Sequence, residues 1–219
     1  MEEFPPSRQD SVRVMLLDDH PVVRCGFERR LRREPDLDIA GAFASSRELM
    51  AALRRGACDV VVLDYLLLID DIDGALLIRH LRILHPTVRI LVSTSYVNAP
   101  TISACLRAGA TGFFCKSEKL DELVYAIRTV ARGNEYLGRE ARGALGRASA
   151  EGGIASPLGE AGLTLKELEV VRCCLHGMSV TLIARKFRRS VKTVSGHKVA
   201  AYRKLGIESD AQLFFMRPQ

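Results

Sequence analysis

Over the first 134 residues, five short apolar runs alternate strictly with five segments of helical period, and few folds accommodate that order. The runs occupy 12–17, 37–44, 60–63, 88–92 and 111–115, and the helical segments occupy 21–33, 47–55, 75–84, 100–108 and 120–132. A strand without polar alternation is buried on both faces, and strands separated by helices pair in parallel. The pattern therefore predicts an α/β domain at 12–134, a parallel sheet covered by helices on both faces. Residues 1–11, MEEFPPSRQDS, are acidic and Pro-containing with no apolar stretch, so they read as a flexible tail and not a signal peptide.

Residues 135–162 are rich in Gly, Ala, Ser and Glu and read as a linker with a helical start. The remainder, 163–219, is a small all-α piece. Thr164 and Glu167 form a T-x-x-E capping box for a helix to residue 175. Ser179 can cap a second helix to 187, and Ser190 a third over 191–205, stopped by Gly206. Ser209 or Asp210 can cap a fourth, through 215. Four short helices joined by tight turns have the size of a helix-turn-helix DNA-binding module.

Charge divides the same way. Residues 1–135 hold 18 Lys+Arg against 19 Asp+Glu, whereas 163–219 hold 11 against 4. Only the C-terminal piece is built to meet a polyanion. The six cysteines form no CxxC pair and lack zinc spacing, so they read as reduced, buried thiols. No apolar run approaches the roughly 18 residues of a membrane span. The expectation is a cytoplasmic protein with no membrane partner.

In an open parallel sheet the site forms at the carboxyl ends of the strands. Collected there are Asp18 and Asp19 after the first strand, Asp64 after the third, Thr94 after the fourth and Lys116 after the fifth. Clustered carboxylates repel one another unless a cation lies among them, and an all-oxygen set suits Mg²⁺. One carboxylate can then act as nucleophile on a phosphoryl group, with metal and lysine offsetting the charge. On this reading Asp64 is the phosphoacceptor, Asp18, Asp19 and Asp64 hold the metal, Lys116 is the counter-charge and Thr94 bonds the phosphate. His20 shapes the rim of the pocket.

These residues, in LLDDHP (16–21), VVVLD (60–64), VSTS (92–95) and AGATGFFCK (108–116), resemble the receiver domain of two-component response regulators. The resemblance implies a doubly wound (βα)5 sheet of flavodoxin-like architecture, with strand order 2-1-3-4-5, and phosphorylation of Asp64 by a sensor histidine kinase. It also implies metal coordination by the Leu66 backbone carbonyl, and a switch in which Thr94 moves toward the phosphate while Phe113 swings inward. One departure stands out. The Met-Pro usual after the acceptor is absent from YLLLIDDID (65–73), and the loop to Gly74 is longer than is common. Its apolar residues 67–69 are expected to tuck beneath the loop.

The helix at 191–205, VKTVSGHKVAAYRKL, crowds Lys192, Thr193, Ser195, Gly196, His197 and Lys198 into its first turns, with Arg188 and Arg189 just before it. Small, polar and basic residues at a helix N-terminus suit a major groove and its flanking phosphates. Val191, Val194, Val199, Tyr202 and Leu205 are expected to line or flank a packed stripe. No Ser or Cys nucleophile accompanies His197, so no hydrolase site is assigned.

Residues 163–215 resemble the LuxR-type (NarL/FixJ) helix-turn-helix, through Leu163-Thr164, Glu167-Leu168, Gly177-Met178-Ser179, Ile183-Ala184, Lys192-Thr193-Val194, His197 and Lys204-Leu205-Gly206. The resemblance makes 191–205 the recognition helix. Ser195, Gly196 and Val199 would read bases, Lys192, Thr193, His197 and Lys198 would contact phosphates or base edges, and Leu213 would form a DNA-bound dimer contact. The implied protein is a non-enzymatic transcription regulator that dimerises on double-stranded promoter DNA. The longer loop is similar to that of the RcsB-like subgroup, which adds an auxiliary regulator as a heterodimer partner. One rival is a phosphorylation-independent regulator controlled by a protein bound at 67–69. Another is a haloacid-dehalogenase-like phosphatase, but the second acid it needs is here Leu66.

Overall fold

The computed structural model describes residues 11–67, 71, 74–95, 97–150, 163–175 and 177–215. They divide into two compact units: Met1–Val97 with Ile102–Arg142, and Asn98–Thr101 with Gly143–Gln219. In the first, strands β1 (Val12–Leu17), β2 (Leu37–Phe43), β3 (Val60–Asp64), β4 (Arg89–Thr94), β5 (Gly112–Cys115) and β6 (Tyr136–Leu137) form one parallel sheet of order β2-β1-β3-β4-β5-β6. Helices α1 (Pro21–Leu31), α2 (Ser46–Leu53), α3 (Gly74–Leu84), α4 (Ala99–Ala108) and α5 (Leu120–Ala131) are the crossovers. The expected tail is outside the described residues except at Ser11.

The apolar runs are buried for the reason their composition gave. Val60, Val61, Val62 and Leu63 are all 0–2% exposed, each worth roughly 1.5–3 kcal/mol of burial. Strand side chains alternate between faces. Val14, Leu16, Val60, Val62, Leu91 and Phe114 pack on one face with Phe27 and Leu31 of α1 and with Leu123, Ile127 and Val130 of α5. The alternate residues Met15, Leu17, Val61, Leu63, Val92 and Phe113 are equally buried, so the second face is covered as well.

The sheet has one strand more than the pattern predicted. Tyr136 and Leu137, expected in the linker, add to the edge by pairing with Gly112 and Phe113. Helix α6 (Arg139–Ala150) then follows, so the expected linker is ordered at least to residue 150, and residues 151–162 lie outside the described part. A two-residue strand has no readable alternation, which is why the sequence hid it. Its packing depends on Gly112. A Cβ there would lie 2.9 Å from both Leu91 Cδ1 and Val130 Cγ1, and 3.0 Å from the Tyr136 carbonyl oxygen. Gly112→Ala is expected to cost about 2 kcal/mol by overpacking, with the greatest loss of amide protection at 136–142. Unchanged urea unfolding would refute this.

The second unit contains α7 (Leu165–Leu175), α8 (Val180–Lys186), α9 (Val191–Leu205) and α10 (Asp210–Phe215). The capping box forms as expected: Thr164 N donates to Glu167 Oε2 (2.7 Å) and Glu167 N to Thr164 Oγ1 (3.3 Å). The same Glu167 carboxylate accepts from Lys204 Nζ at 2.7 Å, tying α7 to the end of α9. Ser179 and Ser190 cap α8 and α9. Ser209 is the cap of α10, accepting from Gln212 N at 3.3 Å. Gly206, at φ 66°, closes α9 in the left-handed conformation.

Candidate functional site

The order reverses at β1, whose neighbours are β2 and β3, and the crevice there is where such sheets place their sites. Asp18 and Asp19 leave β1 and Asp64 ends β3, while Lys116 reaches in from beyond β5. The side chains of Asp18, Asp19 and Asp64 are only 3–5% exposed. Lys116 Nζ lies 2.6 Å from Asp18 Oδ2 and 2.7 Å from Asp64 Oδ2, bridging the two acids. The backbone holds this arrangement: Lys116 N donates to Thr94 O (2.9 Å), and Arg24 donates to Asp18 O (2.7 Å).

Burial pushes the Asp64 carboxyl up to about 7; Lys116 opposes the rise and Asp18 adds to it. Burial works against the Lys116 ammonium too, but Asp64 and Asp18 more than offset it and its pKa is raised. Three carboxylates thus gather around one ammonium that contacts two of them, an excess of negative charge. Ligand atoms of Asp18, Asp19, His20 and Asp64 all lie within 4.8 Å of one another, a donor set that fits a small, hard divalent cation. Leu66 N approaches Asp64 Oδ1 at 3.4 Å, which places the Leu66 backbone beside the acid. His20 contributes more than a rim: its Nδ1 is 2.7 Å from Asp19 Oδ1. Thr94, at the end of β4, is 2% exposed, and Phe113 is fully buried on β5.

The loop after Asp64 is clasped at its base. Gly74 N donates to Tyr65 O at 2.9 Å, and Gly74 adopts φ +56° against the Tyr65 ring. Asp71 accepts from Ser46 N at 2.6 Å and from the Ser46 hydroxyl on α2. Leu67 is buried at 1% exposure, while Leu68 and Ile69 lie outside the described residues.

The basic unit sorts the nucleic-acid candidates. Val194, Ala201 and Tyr202 form the buried stripe of α9, whereas Val191 and Val199 are 49% and 63% exposed, contrary to the expected packing. Helical geometry explains it: Val199 stands five residues past Val194, well off the buried side. The opposite face gathers exposed Lys192, Gly196, Val199 and Arg203 with half-buried Ser195. Arg203 was missed by the sequence reading, although its i+11 spacing from Lys192 marks the face. Arg188 is exposed at φ 50°, Thr193 is exposed, and His197 is half-buried.

Two basic candidates are committed elsewhere. Arg189 lies 3.3 Å from Glu169 Oε2 and over the Phe187 ring. Lys198 Nζ lies 2.5 Å from Asp210 Oδ1 and over the Tyr202 ring, which braces α9 against α10. Leu213, expected as a dimer contact, is buried at 1% exposure, since a six-residue helix must bury its few apolar groups to stay docked.

Residues 14–128 match the response regulator receiver domain family, and residues 161–217 match the bacterial regulatory proteins of the luxR family. The chain is 35% identical over 203 residues to the transcriptional regulatory protein UhpA of Escherichia coli, covering 92% of this chain and 95% of UhpA. It is 31% identical over 205 residues to RcsB of Escherichia coli, covering 93% of each. A solved structure of RcsB from Salmonella enterica serovar Typhimurium, bound to promoter rprA with the phosphomimetic BeF3⁻, superposes with a TM-score of 0.74 at 30% identity. That match covers 94% of this chain and 98% of the other. Among the described residues no helix is long and apolar enough to cross a membrane.

Proposed function

The chain belongs to the response regulators that join a receiver domain to a LuxR-family DNA-binding domain, and we propose that Asp64 is its phosphoacceptor, loaded by a sensor histidine kinase with Mg²⁺ in the pocket. The observation that carries this reading is the Lys116 ammonium held 2.6–2.7 Å from both Asp18 and Asp64. An Asp64 oxygen forms the new bond to phosphorus as the P–N bond of a phosphohistidine donor breaks. The ammonium, freed from part of its pairing with Asp64, offsets charge on the transferred group. Asp18, Asp19, Asp64 and the Leu66 carbonyl would hold the cation, which neutralises phosphoryl charge when bound.

Downstream, Thr94 moves toward the phosphate; Phe113, expected to swing inward, is already fully buried, and the loaded protein dimerises on promoter DNA in the cytoplasm. An auxiliary regulator can replace one partner, as the RcsB resemblance implies. On α9, Lys192 and Arg203, with Arg188 just before the helix, supply phosphate contacts, and Ser195, Gly196 and Val199 face the bases, with Thr193 and His197 at the edge. Arg189 and Lys198 act first as braces for the helix.

Intact mass after incubation with acetyl phosphate and Mg²⁺, beside Asp64→Ala and with sedimentation on the same samples, tests the reading. One phosphoryl adduct on the wild type alone, with a shift toward dimer, is expected. An unmodified wild type that still binds DNA would replace this reading with partner control.

A further inference from the structure

Lys116 is not held from the pocket side alone. The loop that carries it is laced to the first turn of α6. Ser117 Oγ donates to Glu140 Oε1 at 2.6 Å, and the Cys115 thiol donates to Glu140 Oε2 at 3.2 Å. In return Glu140 N donates to Glu118 Oε1 at 3.1 Å, and Cys115 N approaches Glu118 Oε2 at 3.5 Å. Two carboxylates therefore cross between the segments, one from each side. Both residues adjoining Lys116 are held by a single side chain, Glu140.

The surroundings favour this lacing over an incidental surface contact. Cys115 is 1% exposed, and burial pushes its thiol up, so it remains a donor to the carboxylate. Gly138 leaves the Glu118 carboxylate its place, since a Cβ there would lie 2.8 Å from Oε1 and closer still to Oε2. Gly138 N donates to Phe113 O at 2.9 Å, so the same turn is also fastened to β5. Helix α6 begins in the first compact unit and continues past Arg142 into the residues of the second.

We propose that Glu140 is a positioning residue that couples Lys116 to α6, so that loading of the acid pocket is felt in the helix leading to the DNA-binding unit. The inference rests on Asp64 being the acceptor. When a phosphoryl group takes up the Lys116 ammonium, residues 115–117 must shift with it. The two hydrogen bonds to Glu140 transmit that shift to the start of α6, or break and release it. Either way, the response of α6 requires the Glu140 carboxylate. Replacing it removes the response without removing a group from the pocket.

The test uses the full chain with beryllofluoride and Mg²⁺, reading amide exchange peptide by peptide and the bound adduct by native mass. In the wild type, loading is expected to change exchange at 136–147 by at least about tenfold, the size set by one charge-assisted hydrogen bond. Glu140→Gln and Ser117→Ala are expected to load equally, keep native protection in β1, β3 and β4, and lose most of that change. An α6 response in Glu140→Gln equal to the wild type overturns the coupling, as does a loaded wild type with no change at 136–147. A wild type that takes up no beryllofluoride overturns the acceptor reading, and this inference with it.

Discussion

Lys116→Ala is expected to destabilise the metal-free protein by about 3 kcal/mol at pH 8, and by much less at pH 5.5. Removing one partner of a buried ion pair strands the other, a penalty of roughly 3–5 kcal/mol when no relief is available. Here partial relief is available, because Asp64 already sits at about 7 and can take up a proton. Without the ammonium its folded value rises further above the unfolded one. A group raised in this way contributes stability that is fully present below the unfolded pKa and is lost as pH climbs through the folded pKa. The deficit therefore grows with pH. Saturating Mg²⁺ is expected to stabilise the variant itself by about 2.7 kcal/mol at a hundred times its Kd. Urea unfolding at both pH values, with EDTA and with Mg²⁺, measures this. A deficit of equal size at pH 5.5 and 8 would mean that Lys116 acts through packing alone.

The opposite sign is expected for Asp64→Asn. Burial is the main reason Asp64 is raised to about 7, from roughly 3.9 in an unfolded chain. Its favourable contribution is complete below about pH 4 and is lost through pH 7, so the ionised acid costs on the order of 4 kcal/mol at pH 8. Asparagine keeps the shape and carries no charge, and Lys116 keeps Asp18 at 2.6 Å. The variant should be the more stable protein at pH 8 in EDTA, the gap closing toward pH 5. Mg²⁺ should narrow it too, since the wild type offers the cation one more carboxylate. A variant no more stable than the wild type at pH 8 would show that Lys116 fully compensates the buried charge. Stability would then be traded for function at this acid only in the phosphorylated cycle.

The alternation of apolar runs and helical segments sufficed for five strands and five crossovers, because burial on both faces demands a covered parallel sheet, while the strand order came from the receiver resemblance. Asp18, Asp19, Asp64 and Lys116 were legible for the same reason: strand ends in a parallel sheet converge on one rim. The capping residues Thr164, Glu167, Ser179 and Ser190 were legible because a cap is a local interaction, three residues long. The distant pairings were not. That Asp71 holds Ser46, that Glu140 holds Cys115 and Ser117, and that Lys198 is drawn to Asp210 depends on elements meeting in space. One-dimensional spacing carries no record of such partners. The sixth strand was hidden because two residues carry no period, and the burial of Leu213 was not legible because an apolar residue on a short helix fits a core and an interface equally well. Residue types along the chain settle which surfaces must be buried and where charge must gather. Which neighbour satisfies each charge is a matter of geometry, and it emerges only once the sheet has closed over its core.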